Sequence, residues 1–440
     1  MLTTDSVLAL APDEASAKAA RGLVAPSKWP LRGADDRAVW GECQGSGSKP
    51  YQTQVDLAGP AFRCSCPSRK FPCKHGLALL LMQVADGAAF AGGPPPAWVS
   101  EWLATRAEKA QKQEARAAAA TAQPDTPADP EAAARREAQR WQRIDHAGAD
   151  LARWLADQLQ QGLGALNPAT VAAWATVAAR LVDAQAPGLA QRVRDAAAHI
   201  GEAPEHTLAR LGLLQLACEG LARRSSLPAL EQADLRTLVG WPLDRTEVLA
   251  RGTPVADRWC VLAVAQDERE PKLTERRVWL HGHTSGRRAL LLEHAYAGKG
   301  FEQGWVAGVD VQATLVFYPS AAPLRALCEA PPVPVGVATL PAPEDEWQRL
   351  AERVAANPYV PLHPVLWRDA VLVQAGGWQA IASGRAFPLA LNDDEAWTLQ
   401  ARSGGQPLQL AGEWDGRRGT LLTAWAAPGT PPLWQRGAAG

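Results

Sequence analysis

Four residues within one short segment have the types and the spacing of a metal site. The segment reads Cys-x-Cys, a gap of six residues and Cys-x-His, and its candidate ligands are Cys64, Cys66, Cys73 and His75. Zinc takes four thiolate or imidazole ligands in a tetrahedron, at about 2.3 Å from sulfur and about 2.0 to 2.1 Å from nitrogen. Because these residues fill that shell, the pattern predicts one structural Zn2+ ion. Three buried thiols with an unrelated histidine, or a redox Cys-x-Cys pair, explain the clustering less well.

The first ligand pair fits the end of a β-strand. Alternate residues of a strand point to the same side, so Cys64 and Cys66 can both approach one ion before Pro67 turns the chain away. Upstream, residues 38–43 and 51–57 have the composition of two strands, with glycines and a proline between them. The sequence therefore predicts that strands lead into the site.

The second ligand pair fits the start of a helix. Two residues at this spacing lie about 200° apart around a helix, so Cys73 should precede the helix and His75 should lie in its first turn. The apolar run over 76–85 contains no turn residue after its first glycine and predicts a buried helix that stops near Asp86-Gly87. A unit of two strands, the Cys/His cluster and one helix results.

Over residues 39–84 this pattern resembles the SWIM-type zinc finger, whose signature is Cys-x-Cys, a short gap and Cys-x-His followed by an apolar helix. The resemblance implies a strand-strand-helix layout and assigns the four ligands to Cys64, Cys66, Cys73 and His75. SWIM fingers bind DNA or protein partners, and they occur in transposase-related, helicase-associated and ubiquitin-pathway proteins. Some bacterial relatives look like stand-alone cytoplasmic proteins, so the resemblance implies a binding module.

Basic residues surround the candidate ligands. No acidic residue occurs from 57 to 85, and the candidate partner-binding residues there are Arg63, Arg69, Lys70, Phe71 and Lys74. With three thiolates and Zn2+ counted, the local charge is about +3. These residues could contact phosphates, with the ring of Phe71 for stacking, or they could only offset the thiolates. Because so few charges give weak, salt-sensitive affinity, a protein partner is favoured over DNA.

The remaining sequence indicates several domains. A chain of 440 residues exceeds one ordinary core at about 100 to 200 residues per domain. The proline-containing segment 121–130 lacks bulky apolar residues, and Asp129-Pro130 is a typical helix start. The predicted division is a zinc-finger domain over 1–92, a helix with an Ala/Pro-rich linker over 93–129, a helical bundle over 130–250 and a β-rich α+β domain over 251–440.

The predicted fold class is thus α+β and multidomain. Helices of the bundle should start at Asn167-Pro168, Pro187, Pro204 and Pro228, and its core should include Leu208, Leu211, Leu214, Leu216 and Leu221. Beyond residue 252, apolar and polar residues alternate over 309–317, which predicts a strand with one buried side. A helix over 343–356 and further short strands complete the prediction.

Composition indicates a cytoplasmic protein. The formal net charge is −1, so the chain lacks the overall basic field of many nucleic-acid binders. The N-terminus has no basic n-region, and no apolar stretch is long enough to cross a bilayer. Seven cysteines are an odd number for a disulfide framework and favour reduced thiols in the cytosol. We therefore expect no membrane association, and the sequence gives no indication of the oligomeric state.

No catalytic constellation is apparent in the sequence. His281-Gly-His283 is interpreted as a turn, and the isolated Cys43, Cys218, Cys260 and Cys328 as small buried residues. Gly298-Lys-Gly300 lacks the spacing of a phosphate loop, and Glu344-Asp-Glu346 is expected to complement a helix N-terminus. The leading hypothesis is a non-enzymatic, zinc-binding interaction protein that recognises a protein partner. A DNA-binding factor, or an enzyme with a site in the C-terminal half, are the alternatives.

Overall fold

A computed structural model of the chain describes residues 4–8, 10–11, 14–45, 49–57, 61–68, 72–90, 92–108, 130–167, 171–200, 204–241, 243–270, 273–296, 301 and 303–437. These residues form an N-terminal strand module, a helical bundle and a C-terminal region of two sheets. The predicted α+β multidomain class is confirmed. The predictions for the linker and for Gly298-Lys-Gly300 lie outside the described residues.

The N-terminal module is built on a four-stranded antiparallel sheet. Its strands follow one another in space as they do in sequence: β1 Leu31–Ala34, β2 Ala38–Cys43, β3 Tyr51–Asp56 and β4 Ala61–Cys64. Both predicted strands are confirmed as β2 and β3, β4 is the strand whose end was predicted at the first ligand pair, and β1 was not predicted. The helix Lys74–Ala85, called the finger helix below, contacts β2, β3 and β4. The short helices Thr4–Leu8 and Glu14–Arg21 pack against it.

Successive side chains of β2 point to opposite faces of this sheet, and both faces are covered. Val39 and Cys43 lie in the core that contains the finger helix, whereas Ala38 and Trp40 pack with a second helix over 97–108. Successive side chains of a strand point to opposite faces, so a strand between two helices is apolar at nearly every position. A Cβ atom at Gly33 would lie 2.5 Å from the Trp40 ring, so only glycine leaves room there.

The central region is the predicted helical bundle. Its helices are Pro130–Gln161, Trp174–Asp183, Pro187–Ala198, Pro204–Ala222 and Ala229–Leu238, followed by Arg245–Arg251. The predicted starts at Pro187 and Pro204 are confirmed, and Pro228 directly precedes its helix, because proline fits the first turn, where its missing N–H costs no hydrogen bond. Pro168 lies outside the described residues.

Two of the predicted bundle core leucines are exposed. Leu211, Leu214 and Leu221 are buried, but Leu208 is 49% and Leu216 39% exposed. Helix Pro204–Ala222 buries one face, which the first three leucines share because their spacing of three and seven residues matches the helical period. Leu208 and Leu216 lie off that face, so the prediction was wrong for them.

The C-terminal half begins with a closed five-stranded barrel. Its strands are β5 Thr253–Glu270, β6 Leu273–Gly282, β7 Arg288–Tyr296, β8 Val309–Phe317 and β9 Arg325–Cys328. Pairing runs β5-β6-β7-β9-β8 and returns to β5, with β7 and β9 parallel and the other pairs antiparallel. A further strand, β10 Val333–Val337, extends the sheet beside β8. The predicted strand over 309–317 is confirmed.

A second barrel repeats this topology. Its strands are β11 His363–Gln374, β12 Trp378–Ala382, β13 Arg385–Pro388, β14 Leu408–Trp414 and β15 Gly419–Trp425, and β16 Trp434–Gln435 pairs with β15. A parallel bridge between Leu389 and Gly419 joins the end of β13 to β15. The helix Asp393–Ser403 connects β13 to β14. If the five strands of each barrel are counted along the chain, neighbours around both barrels follow the order first, second, third, fifth and fourth.

Both barrels therefore have the strand order of the OB-fold, a five-stranded Greek-key barrel. The sequence prediction of a mostly β C-terminal half did not include this repeat, because alternation identifies strands but not their partners. A fold shared by many binding proteins assigns no function by itself. The two barrels pack together through a common core that includes Cys260, Trp279, Leu366 and Trp425.

The helix before the second barrel begins later than predicted. It spans Glu346–Ala356 and not 343–356, and Asp345 caps it by accepting hydrogen bonds from the backbone N–H groups of Trp347 and Gln348. Asp345, the middle residue of the acidic run 344–346, thus complements the helix N-terminus as predicted. Glu346 is instead buried and pairs with Arg288, so it stabilises the contact between this helix and the first barrel.

Candidate metal centre

The four predicted ligands converge at one point in the N-terminal module. The ligand atoms of Cys64, Cys66, Cys73 and His75 all lie within 4.8 Å of one another. Sγ of Cys64 is 3.8 Å from Nδ1 of His75. Ligands at zinc's usual bond lengths lie about 3.5 to 3.8 Å apart at the corners of a tetrahedron. The side chains therefore fit one zinc ion, with Nδ1 as the imidazole ligand.

Secondary structure places the ligands as the sequence predicts. Cys64 is the last residue of β4, and the following turn is fixed because Gln52 and Ser65 exchange two hydrogen bonds, from Ser65 N–H to Gln52 O and from Gln52 N–H to Ser65 Oγ. Cys73 is the N-cap of the finger helix, and His75 lies in its first turn. The prediction for Cys73 and His75 is confirmed, and Cys64 ends its strand as predicted, whereas Cys66 lies two residues beyond the strand in a bend.

The electrostatics of the sulfur cluster favour a bound cation. Side-chain hydrogen bonds with Cys64 and Cys66, together with burial, raise the pKa of the Cys73 thiol far above its ordinary value. Side-chain hydrogen bonds from the Cys64 and Cys73 thiols lower the pKa of Cys66. Three thiolates this close repel one another, so without a cation they share protons. A dication removes that conflict, since thiolates are the form that binds metal.

Backbone groups around the cluster support thiolate ligands. The N–H of Ser68 bonds to the sulfur of Cys66, the N–H of Gly76 bonds to that of Cys73, and the N–H of Cys66 bonds to that of Cys64. Each of these hydrogen bonds favours the thiolate form of the cysteine and fixes the orientation of its side chain, as hydrogen-bond donors around metal ligands do. Thr53 adds a contact between its hydroxyl and Cys64 Sγ at 3.2 Å.

Aromatic packing holds the histidine ligand in place. His75 is buried, and the ring of Tyr51 packs on its imidazole with 5.0 Å between centroids. A Cβ at Gly45 would lie 2.5 Å from the Tyr51 ring, and a Cβ at Gly76 would lie 2.8 Å from the Phe62 ring. The sequence prediction did not include Tyr51 as a site residue, because its contact with His75 depends on how β3 packs beside the finger helix and not on a spacing within the segment.

Only part of the predicted partner-binding set can be located. Arg63 on β4 and Lys74 on the finger helix are exposed and flank the ligands. Arg69, Lys70 and Phe71 lie outside the described residues. Their role stays a prediction.

Several buried ionisable groups of the barrels form ion pairs. Arg277 on β6 forms two hydrogen bonds to Glu413 on β14, at 2.7 and 3.0 Å, and Trp279 Nε1 donates to the same carboxylate at 2.7 Å. Asp310 on β8 is buried, and its carboxylate accepts from His283 Nε2 at 3.0 Å and pairs with Arg258. These pairs join strands and barrels.

The His-Gly-His segment forms the predicted turn. β6 ends at Gly282, and a turn follows at His283. His281 is buried, and its Nδ1 lies 2.9 Å from Nη1 of Arg288, which donates to it. Burial, followed by the charges of Arg288 and Arg349, lowers the pKa of His281 to about 3. The imidazole is therefore neutral at physiological pH and serves as an acceptor.

The isolated cysteines are buried or half-buried thiols with raised pKa values. Cys43, Cys218 and Cys260 are buried, as predicted, whereas Cys328 is half-buried. Burial raises the pKa of Cys218 and of Cys328 to about 12, and it also raises the pKa of Cys43 and Cys260. A thiol with a raised pKa is a poor nucleophile, so these residues are not candidates for catalysis.

Comparison with protein families finds two matches. Residues 51–83 match the SWIM zinc finger, and residues 139–239 match the SWIM-associated four-helix bundle domain. The first match confirms the resemblance inferred from the ligand spacing, and the second covers most of the helical bundle. Comparison with curated proteins and with solved structures finds no match to the chain. The chain thus contains a SWIM zinc finger with ligands for one structural zinc ion.

Among the described helices, none combines the length and the apolar composition that crossing a bilayer requires.

Proposed function

We propose that this chain is a cytoplasmic, non-enzymatic interaction protein whose zinc finger recognises a protein partner. The observation that carries the proposal is the closed ligand set. Four protein ligands fill the zinc shell, whereas catalytic zinc sites keep one position for water or substrate. The metal in this proposal stabilises a recognition surface, and function consists of binding.

The surface around the zinc supports a protein partner more than DNA. Arg63 and Lys74 are exposed beside the site, but the whole chain carries a formal net charge of −1. Nonspecific DNA binding depends on many cation–phosphate contacts and weakens steeply with salt. DNA binding through Arg63, Arg69, Lys70 and Lys74 is the second candidate.

An enzymatic site in the C-terminal half has less support. Perturbed ionisable groups mark active sites when they lie in a cleft. Arg277, Glu413, Arg288 and Glu346 are instead paired between the elements that they join. Their arrangement supports a structural role.

A photo-crosslinking experiment tests the proposal. A photoreactive residue replaces Arg63 in the full chain, and the matched control carries it at Leu208, which is exposed on the bundle. In native cytoplasm we expect one protein adduct that forms from position 63, disappears when a chelator strips the zinc and does not form from position 208. Identical adducts from both positions, or adducts that survive chelation, would overturn the proposal.

A mobility-shift titration with DNA tests the second candidate, which is DNA binding through the basic residues of the finger. If the finger binds DNA, replacing Arg69 and Lys70 with Ala should lower the salt slope by about one unit per lost phosphate contact. An unchanged slope excludes DNA recognition through this loop.

A further inference from the structure

A cleft lies beside the metal centre, between the finger and the N-terminal helix Glu14–Arg21. Its volume is about 750 Å³. Ala19 and Leu23 form an apolar wall, Tyr51 and His75 lie opposite, and the turn of Cys66, Pro67 and Ser68 contributes to the lining. The cleft thus combines residues of the zinc site with a segment that lies before the matched finger.

Apart from the zinc ligands, the charged side chains that line this cleft are basic. Lys28 and Lys74 line it and are exposed, and among the described lining residues there is no Asp or Glu. Nζ of Lys28 donates to Gly22 O at 2.7 Å, which positions the ammonium group. An ammonium group carries three donors, so this contact leaves donors for a ligand. The lining therefore favours an anion next to an apolar surface.

The zinc ion should maintain the wall of the cleft. Cys66 and His75 are at once candidate ligands and lining residues, and Tyr51 packs between His75 and Gly45. Loss of the metal would release Cys66 and His75 together. Binding in the cleft should consequently depend on zinc.

We infer that this cleft binds an acidic segment of the protein partner, which is an inference that rests on the proposed function. An Asp or Glu side chain of that segment contacts Lys28 and Lys74. A neighbouring apolar side chain lies against Ala19 and Leu23.

A nucleic acid fits this cleft less well. Single strands bind through aromatic rings on which bases stack, together with a charged groove. Tyr51 is the aromatic residue of the described lining apart from His75, and its ring is packed on His75 and close to Gly45. Two lysines alone contribute few phosphate contacts. A short acidic peptide matches what the lining offers, which is basic groups next to an apolar wall.

Peptide selection on the full zinc-loaded chain tests this inference. The probe is a phage-displayed library of random heptapeptides. The wild-type chain should enrich peptides with Asp or Glu next to an apolar residue. The variant Lys28→Glu/Lys74→Glu should lose that enrichment and bind a selected acidic peptide at least tenfold more weakly. Lys18→Glu is the matched control, since Lys18 is exposed on the helix Glu14–Arg21 but does not line the cleft.

Zinc content and circular dichroism of each variant establish that it is folded. Peptides without acidic enrichment, or equal binding by wild type and double variant, would overturn the inference. Binding of a single-stranded oligonucleotide to the wild-type chain that displaces the peptide, and that the double variant loses, would assign the cleft to nucleic acid and overturn it too. If the cleft fails these tests while position 63 still crosslinks a protein, the proposed function stands and the partner uses another surface.

Discussion

The ring of Tyr51 packs on the imidazole of His75, with 5.0 Å between the centroids and 38° between the ring planes. Through this contact the strand β3 fixes the orientation of a zinc ligand that the finger helix carries. The metal, the sheet and the helix therefore depend on one another. Loss of any one of them should disturb the other two.

The first prediction concerns the metal. Cys73→Ser should reduce bound zinc below one ion per chain and unfold the finger, because apparent zinc binding contributes about 10 to 16 kcal/mol in zinc-finger peptides. Metal analysis and a thermal unfolding curve measure the effect. Cys43→Ala is the control, since Cys43 is buried in the same module but is not one of the four ligands. Full zinc occupancy in Cys73→Ser would contradict the assignment.

The second prediction concerns close packing in the helical bundle. A Cβ at Gly188 would lie 2.1 Å from the backbone oxygen of Leu238, so Gly188→Ala should destabilise the chain by about 1 to 3 kcal/mol. At Gly212 nothing lies within 4 Å of the added atom, and Gly212→Ala should stabilise its helix by up to about 1 kcal/mol. Urea unfolding of both variants measures whether each substitution lowers or raises the free energy of unfolding. Equal effects would show that the helices do not approach closely at Gly188.

The third prediction concerns the loss of folding stability at low pH. The pKa of His281 is about 3 in the folded chain against 6.5 ordinarily, so below pH 6.5 the unfolded chain takes up a proton that the folded chain refuses. Its contribution to stability is complete above pH 6.5 and is lost as the pH falls toward 3, by up to about 1.4 kcal/mol per pH unit. His281→Gln keeps an acceptor for Arg288. It should lower by one the number of protons that the chain takes up on unfolding between pH 3 and pH 6.5, which is measured as the slope of the free energy of unfolding against pH. An unchanged slope would contradict the burial of a neutral imidazole.

The fourth prediction concerns the contact between the barrels. Arg277→Met leaves the buried Glu413 without its main partner and should cost about 3 to 5 kcal/mol. Replacing both residues with Met should cost less than the sum of the single changes, since no unpaired charge remains. A double-mutant cycle from chemical denaturation measures the coupling. Additive losses would show that the two residues do not interact.

Local features could be predicted from the sequence. The four zinc ligands lie within twelve residues, so strand and helix geometry alone brings them together. Proline positions predicted helix starts, and alternation predicted the strand over 309–317. The same local rules failed for Leu208 and Leu216, because which face of a helix is buried depends on the neighbours that it meets.

The sequence by itself determined the metal, its ligands and the division into finger, helices and sheets, since each depends on residues close together in the chain. Only the tertiary structure decided the two barrels, the pairing of Arg277 with Glu413 and the cleft that joins Lys28 to Lys74. These features join residues far apart in sequence. Hydrophobic burial selects such pairings through the packing of whole elements, which no spacing within a segment records.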